Sequence, residues 1–374
     1  MIFTGISASA EMLYVEETGF IVELPIGWKV IDINESKWTF QDFTGNAFMQ
    51  IKVFPGDTYK SSEEIFNEMT KKIQANADGD KFDFYGRDSV FSTLSFNSQG
   101  FDYSGYALFA DGEDFDLAIL SFASKDAAPL LNDYILSALD SFSVSTSLMN
   151  NPGPVSLYYQ ESYNGTNHQS TNTDFEGEKV DWKVDEYGIE ASQLMIEREA
   201  RILADFKPET DAGKEAWKRY YRMIYRDSYS RLDYLATVLE QKLKLNGKMD
   251  SAPERLLKWV QGFKYKRTQE SASDLVSPLE AAAIQTGDCD TRVLLYTILL
   301  NHYGIDSAMM VSSEYSHAMA ALDIEGDGAR IPFGKKGLLV AETTDDVELG
   351  MVASSMADPA KWLIIPVMEK EPWK

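Results

Sequence analysis

Residues 287–304, GDCDTRVLLYTILLNHYG, contain the clearest helix signals in the C-terminal half of the sequence. Gly287 and Asp288 form a turn and an N-cap, and Gly304 is a C-cap signal, so the apolar run between them predicts a buried helix. Cys289 then lies in its first turn, where the N–H groups are unsatisfied and the helix dipole is positive. These groups stabilise a thiolate and can form an oxyanion hole.

The residues that follow this helix have the pattern of antiparallel strands. The runs 307–311, 315–324 and 337–343 are apolar and bounded by turn residues, which predicts three strands. His317 and Glu342 each lie on an apolar face of their strand. Because the strands are expected to be antiparallel neighbours, we predict that these two side chains lie close together.

A cysteine at a helix start, a histidine on one strand and a carboxylate on the next are the residue types of a catalytic triad. The alternative is that Cys289 is a small core residue, as lone cysteines often are, but His317 and Glu342 favour the triad. Asp345 is a rival for the acid. Gln285 is a candidate oxyanion donor, although a loop glutamine is more often solvated.

The order of these motifs resembles the transglutaminase-like cysteine peptidase superfamily over about residues 250–350. The resemblance implies that Cys289 is the nucleophile, His317 the general base and Glu342 the third triad member. Tyr265 matches the aromatic residue that precedes the motif of that family, and Asp290 follows the cysteine, which implies auxiliary roles for both. A papain- or transglutaminase-like domain with a helical lead-in and an antiparallel sheet is the implied fold.

The sequence departs from the pattern of this superfamily at two positions. The usual third residue is aspartate in an Asp-Pro-Thr context, whereas this chain has Glu342-Thr343-Thr344. The frequent His-Ala-Trp is His317-Ala318-Met319 here, so we expect no aromatic wall beside the histidine. These departures bear on the identity of the acid and on substrate shape more than on the cysteine and the histidine.

The predicted function is a cysteine hydrolase, either peptidase or amidase, that acts through a thioester acyl-enzyme on a peptide or protein. Two alternatives stay open. If a lysine amine replaces water, the same chemistry gives a protein-crosslinking transamidase. If the residues are inactive, the chain is a binding or scaffold protein.

Residues 11–147 have a different pattern, with β-rich runs interrupted by two helices. A capping box at Ser61 and Glu64 begins the first helix and Pro129 begins the second, which predicts an antiparallel sheet covered by helices in an α+β fold. The opening GFIVELPIGW, residues 19–28, resembles the PsbP-like domains. That resemblance implies a non-catalytic accessory or binding domain. The acidic run DGEDFD, residues 111–116, is interpreted as a hairpin turn rather than a calcium site.

The predicted domain organisation places a boundary near residue 150. Residues 148–185 are rich in Pro, Gly, Asn, Ser and Thr, which is typical of a polar linker. Residues 186–374 then contain helices that lead into the catalytic domain. The helix expected from Trp217 interleaves tyrosine with arginine, a pattern that can stack on bases, but the acidity of the chain favours an ordinary amphipathic helix.

The composition excludes several classes of function. The 374-residue chain carries 59 acidic and 35 basic residues, a net charge of −24, whereas nucleic-acid binding needs clustered basic side chains. One cysteine and three histidines predict no intrachain disulfide, no metal and no cofactor. No run approaches the ~18 apolar residues of a membrane span, so no integral membrane segment is expected.

The N-terminal sequence leaves the compartment open. Ala8-Ser9-Ala10 is typical of an export cleavage site, but a basic region and a long apolar run are missing. A truncated export signal predicts the bacterial periplasm or secretion, and an ordinary terminus leaves a cytoplasmic location open.

Overall fold

The computed structural model describes residues 12–162, 168–245, 251–267 and 271–368. The Ala8-Ser9-Ala10 pattern lies outside them. The described chain divides into two compact units. The N-terminal unit contains residues 12–162 and 202–216, and the C-terminal unit contains 168–201 and the described residues from 217 onwards.

The N-terminal unit is built on antiparallel strands. Their bounds are β1 Met12–Tyr14, β2 Ile21–Glu23, β3 Lys29–Asn34, β4 Lys37–Gln41, β5 Ala47–Pro55, β6 Asn76–Asp83, β7 Asp88–Ser98, β8 Phe101–Ala110, β9 Phe115–Ser124 and β10 Phe142–Ser143. The main sheet has the order β3-β4-β5-β9-β8-β7-β6, and β1-β2-β10 form a smaller sheet. The DGEDFD run joins β8 to β9, where buried Asp116 accepts a hydrogen bond from the Gly112 amide at 3.3 Å. This run is the predicted hairpin turn.

Helices cover both faces of the main sheet. Helix α1 (Ser62–Ile73) begins at Ser61, whose hydroxyl accepts from the Glu64 amide as the capping box predicts, and α2 (Ala128–Asp140) has Pro129 in its first turn. The apolar side chains of α2 pack with Leu108, while those of α1 pack with the next residue along β8, Phe109. Successive strand residues point to opposite faces, so the two helices lie on opposite sides. The antiparallel sheets with covering helices confirm the predicted α+β class.

The structure differs from the predicted linker at residues 148–185. Helix α3 (Pro154–Ser162) and the hairpin of β11 (His168–Phe175) and β12 (Glu178–Asp185) occupy most of this range. Phe175, Val180, Trp182 and Val184 are buried. The alternation from Val180 to Val184 is therefore a half-buried strand pattern, which the polar composition of the preceding residues obscured.

Helices form most of the first part of the C-terminal unit. Their bounds are α4 Glu186–Leu203, α5 Asp211–Tyr229, α6 Asp233–Leu245, α7 Ala252–Gln261, α8 Pro278–Ile284 and α9 Cys289–His302. A short 3-10 turn, Ser230–Leu232, divides the helix that the sequence predicted from Trp217 to Leu245. Tyr220, Tyr221 and Tyr225 on α5 are buried, as expected of an amphipathic helix.

An antiparallel sheet completes the C-terminal unit. Its strands are β13 Ser307–Ser312, β14 His317–Leu322, β15 Arg330–Phe333, β16 Lys336–Ala341 and β17 Leu363–Ile365, in the order β15-β16-β14-β13-β17. Helix α9 packs against β13 and β14. The three strands predicted after the helix therefore all form, and β14 and β16 are antiparallel neighbours.

Within the described parts of the chain, no helix is long and apolar enough to cross a membrane.

Candidate active site

Cys289 occupies the first position of α9. Asp288 is the N-cap, and its Oδ1 accepts a hydrogen bond from the Thr291 amide at 2.9 Å. A side chain at Gly287 would lie 2.7 Å from Thr291 Cγ2, so only glycine allows this close turn. The first amide of α9 that donates within the helix is that of Arg292, to the Asp288 carbonyl at 3.2 Å, so the amides of Cys289 and Asp290 before it are available to an oxyanion beside the sulfur.

The sheet brings His317 and Glu342 into direct contact. His317 begins β14, and Glu342 directly follows β16, which is aligned with β14 by the pair Ala320 and Ala341. His317 Nε2 lies 2.7 Å from Glu342 Oε2. The other carboxylate oxygen, Oε1, accepts from the Thr344 amide at 2.7 Å and from its hydroxyl at 2.6 Å. The carboxylate is thus held at both oxygens, and ring atom Nδ1 takes no part in this contact.

The electrostatics of His317 and Glu342 favour an ion pair between these two side chains. Burial lowers the pKa of His317, but hydrogen bonds to Cys289 and Glu342 outweigh it and raise this pKa to about 10. Burial raises the pKa of Glu342, but the bonds from His317 and Thr344 outweigh it and leave this pKa below its usual range. At neutral pH the histidine is therefore an imidazolium paired with the Glu342 carboxylate.

Two sequence candidates lie apart from this contact. Asp345, the rival acid, is exposed, whereas Glu342 is 7% exposed and holds the histidine. Gln285 was a candidate oxyanion donor, but its amide nitrogen donates to the Asp174 carbonyl at 2.8 Å and its oxygen accepts from the Asp174 amide at 3.2 Å. The left-handed conformation of Gln285, φ 48°, ends α8 and accompanies this contact with the β11–β12 hairpin, so the side chain does not serve the sulfur.

Tyr265 lies on a segment that runs beside the turn before Cys289. Lys264 forms a parallel bridge with Thr286, in which the Lys264 amide donates to the Gln285 carbonyl at 2.9 Å. This pairing carries Tyr265 and Arg267 towards the cysteine. Arg267 Nε donates to the Tyr265 hydroxyl at 3.0 Å, and its Nη2 lies 4.0 Å from the sulfur. Arg267 is not among the residues predicted from the sequence, because nothing local marks its position.

The two acids that flank the cysteine are perturbed by burial. Burial and the charges of Asp288 and Asp274 raise the pKa of Asp290 to about 7, and Asp290 bonds to Tyr221. Burial also raises the pKa of Asp288, whose Oδ2 is buried without a hydrogen-bond partner among the described residues. One ligand atom from each of Asp288, Cys289 and Asp290 lies within 4.8 Å of the others, which is the spacing a metal ion requires.

Arg292, also missed, is a buried arginine that ties the site together. Its Nε donates to the Gly287 carbonyl at 3.1 Å, Nη1 to the Thr343 and Gln261 carbonyls at 3.3 and 3.4 Å, and Nη2 to the Phe263 carbonyl at 2.6 Å. Its side chain is 2% exposed, and burial lowers its pKa. Arg292 therefore joins the turn before Cys289 to Thr343, the residue after Glu342.

The aromatic neighbour of His317 comes from a distant part of the sequence. The rings of His317 and Trp362 are 6.4 Å apart in an edge arrangement, and Trp362 donates to the Met356 carbonyl at 2.9 Å. The expectation that His317-Ala318-Met319 leaves the histidine without an aromatic wall is wrong. Trp362 precedes β17, which pairs with β13, so only the sheet order brings it there.

Two cavities lie elsewhere in the C-terminal unit. One of about 750 Å³ includes Glu254, Lys258, Glu325 and Asp327 in its lining, and one of about 550 Å³ shares Glu254 and Lys258. Neither is lined by the proposed triad. The proposed triad therefore lies outside both cavities.

Titration of Glu342 should contribute to acid unfolding. The pKa of Glu342 is lower in the folded chain than its value of 4.5 in the unfolded chain. Between the two pKa values the unfolded chain binds more protons, so the stability decreases as the pH is lowered. We expect the loss of unfolding free energy from pH 7 to pH 4 to be smaller in Glu342→Gln than in the wild type, as measured by urea titration. The control is Asp345→Asn, which removes an exposed carboxylate; an equal effect of the two substitutions would contradict the assignment of the acid.

No family model matches the chain, and no curated protein matches it. Solved structures that are similar to it include CyanoP, the cyanobacterial PsbP of Synechocystis sp. PCC 6803, at 12% identity, TM-score 0.31, covering 38% of this chain and 97% of that one. A protein of Bacteroides thetaiotaomicron VPI-5482 matches at 10% identity and TM-score 0.28, covering 85% and 88%. LpqN, involved in cell envelope biogenesis of Mycobacterium tuberculosis, matches at 10% identity and TM-score 0.28, covering 36% and 88%. At these scores the likenesses carry no argument about function.

Proposed function

We propose that the C-terminal unit is a cysteine hydrolase of amide bonds, with Cys289 as nucleophile, His317 as general acid and base, and Glu342 as the residue that orients the imidazole. The observation that carries the proposal is the 2.7 Å contact between His317 and Glu342, combined with the influence of Cys289 on the pKa of the imidazole. A merely structural histidine has no need of a buried carboxylate on one side and a sulfur on the other. The resemblance to the transglutaminase-like cysteine peptidases assigns the same three roles.

Acylation begins with attack of the Cys289 thiolate on the substrate carbonyl carbon. The oxygen of the tetrahedral intermediate accepts hydrogen bonds from the amides at the start of α9. The His317 imidazolium gives its proton to the leaving nitrogen as the carbon–nitrogen bond breaks. An amine leaves, and a thioester remains on Cys289.

Deacylation returns the site to its starting state. Neutral His317 takes a proton from water, and the resulting hydroxide attacks the thioester carbonyl. The carbon–sulfur bond breaks, the acid product leaves, and the thiolate and imidazolium re-form. Attack by a lysine amine in place of water gives an isopeptide bond, so the transamidase alternative differs in the second nucleophile alone.

The test of the ion pair is the pH dependence of Cys289 alkylation by iodoacetamide. In the wild type we expect rapid alkylation that persists at pH 6, because the imidazolium stabilises the thiolate. In His317→Ala the rate at pH 6 should fall by about two orders of magnitude, since an unperturbed thiol with a pKa of ~8.5 is less than about 1% ionised there.

His302→Gln is the matched control for this experiment. His302 ends α9 and stacks on Tyr229 with ring centres 4.0 Å apart, so its replacement removes a histidine without touching the sulfur. An alkylation rate that is slow in the wild type and unchanged in His317→Ala would overturn the hydrolase. The chain would then be a binding or scaffold protein.

A further inference from the structure

Arg267 places a guanidinium beside the sulfur of Cys289. Its side chain is 42% exposed, and its Nη2 lies 4.0 Å from Sγ. Nε is engaged by the Tyr265 hydroxyl at 3.0 Å and by Asp274 Oδ2 at 3.7 Å. Among the described residues Nη1 has no hydrogen-bond partner. The edge formed by Nη1 and Nη2 is therefore the part of the guanidinium that is open to a ligand.

The second arginine at the site differs from Arg267. Arg292 is buried and donates to four backbone carbonyls. It therefore has no exposed edge to offer. Arg267, in contrast, belongs to a segment that the bridge between Lys264 and Thr286 holds in place, and its stem is steadied by Tyr265. A positioned guanidinium edge matches the two oxygens of a carboxylate.

We propose that Arg267 binds a carboxylate of the substrate next to the scissile bond, so that the site takes amides with a carboxylate within about three bonds of the reacting carbonyl carbon. This inference rests on the proposed hydrolase function. A carboxylate oxygen at about 2.8 Å from Nη2 lies within about 7 Å of Sγ, because Nη2 is 4.0 Å from Sγ. The α-carboxylate of a C-terminal residue whose peptide bond is attacked meets this limit, since three bonds of about 1.3–1.5 Å separate the two carbons.

The charge around the site makes such recognition selective. The chain has a net charge of −24, and Asp274, Asp288 and Asp290 all lie near the cysteine. An anionic substrate is therefore repelled unless a positive group faces it. In the described part of the site, Arg267 is the exposed cation that lies against the sulfur.

Two alkylating reagents of nearly equal size test this proposal. Iodoacetate carries a carboxylate one bond from its reactive carbon, and iodoacetamide carries a neutral amide there. With either reagent the bond from Sγ to carbon forms while the bond from carbon to iodine breaks, and iodide leaves. We expect the ratio of the iodoacetate rate to the iodoacetamide rate to fall at least about tenfold in Arg267→Gln, since a bond to a charged group is lost.

Two further variants separate the effect of the guanidinium edge of Arg267 from the effect of its positive charge. Lys266→Gln makes the same change of net charge at the neighbouring exposed position, and it should leave the ratio unchanged. Arg267→Lys keeps the positive charge but lacks the edge formed by Nη1 and Nη2, so its rate ratio should be lower than that of the wild type. An equal slowing of both reagents in Arg267→Gln would mean that Arg267 acts on the thiolate alone, and this result would overturn the carboxylate site, as would no change at all.

The same measurements keep the two proposals apart. Failure of the hydrolase appears as an iodoacetamide rate that does not respond to His317→Ala. Failure of the carboxylate site appears as a rate ratio that does not respond to Arg267→Gln. Either failure is visible when the other proposal holds.

Discussion

Substitution of Cys289 by alanine should abolish amide hydrolysis while the protein stays folded. We expect the rate to fall by at least about 10⁴-fold, because removal of the nucleophile of a triad leaves only binding and the oxyanion donors. The measurement uses a pool of unfolded peptides that is incubated with each protein, and new termini are counted by mass spectrometry. Peptides with free and with amidated C-termini are compared in the same pool.

The controls separate loss of chemistry from loss of structure. Loss of a buried sulfur costs about 1 kcal/mol of unfolding free energy, so Cys289→Ala should unfold cooperatively in urea at a slightly lower midpoint. Hydrolysis that persists in this variant would remove Cys289 from the mechanism. Addition of a lysine-containing acceptor peptide tests the transamidase alternative, whose product is an isopeptide-linked pair.

Arg292→Met should be among the most destabilising substitutions in the C-terminal unit. Arg292 is 2% exposed, and its guanidinium donates to the carbonyls of Gly287, Gln261, Phe263 and Thr343. Methionine fills much of the volume but removes this donor from all four carbonyls, of which that of Gly287 keeps a bond from the Lys266 amide at 3.4 Å. We expect the unfolding free energy to fall by about 3–5 kcal/mol, measured by urea titration.

Arg330→Met is the matched control for this prediction. Arg330 also donates to three carbonyls, those of Ile324, Gly326 and Gly337, but it is exposed, so water can replace its bonds. Its replacement should cost less than about 1 kcal/mol. Equal effects of the two substitutions would contradict the central role of Arg292. Arg292→Lys should retain more stability than Arg292→Met. Its Cys289 should still be alkylated more slowly than in the wild type, because the turn before Cys289 is less firmly held.

Much of the proposed site could be predicted because its signals are local. An N-cap followed by an apolar run placed Cys289 at a helix start, and strand alternation placed His317 and Glu342 on neighbouring faces. The choice between Glu342 and Asp345 was less secure. That choice depends on which carboxylate contacts His317, and the contact follows from the register of the strands.

The misplaced predictions concern contacts between distant segments. Gln285 has the right spacing for an oxyanion donor, but its side chain bonds to the backbone of Asp174 on a hairpin. That hairpin lies in the range interpreted as a linker. Because the hairpin was missed, the partner of Gln285 was missed with it.

Local sequence signals were enough to predict the α+β class, the helix that begins at Cys289 and the strands that position His317 and Glu342. Capping residues and apolar periodicity are local, and they act before any long-range contact forms. Tertiary structure alone decided that Arg267 and Trp362 lie beside the site and that Arg292 joins its parts. These positions depend on the bridge between Lys264 and Thr286, on the sheet order and on burial, which bring together residues that no spacing along the chain connects.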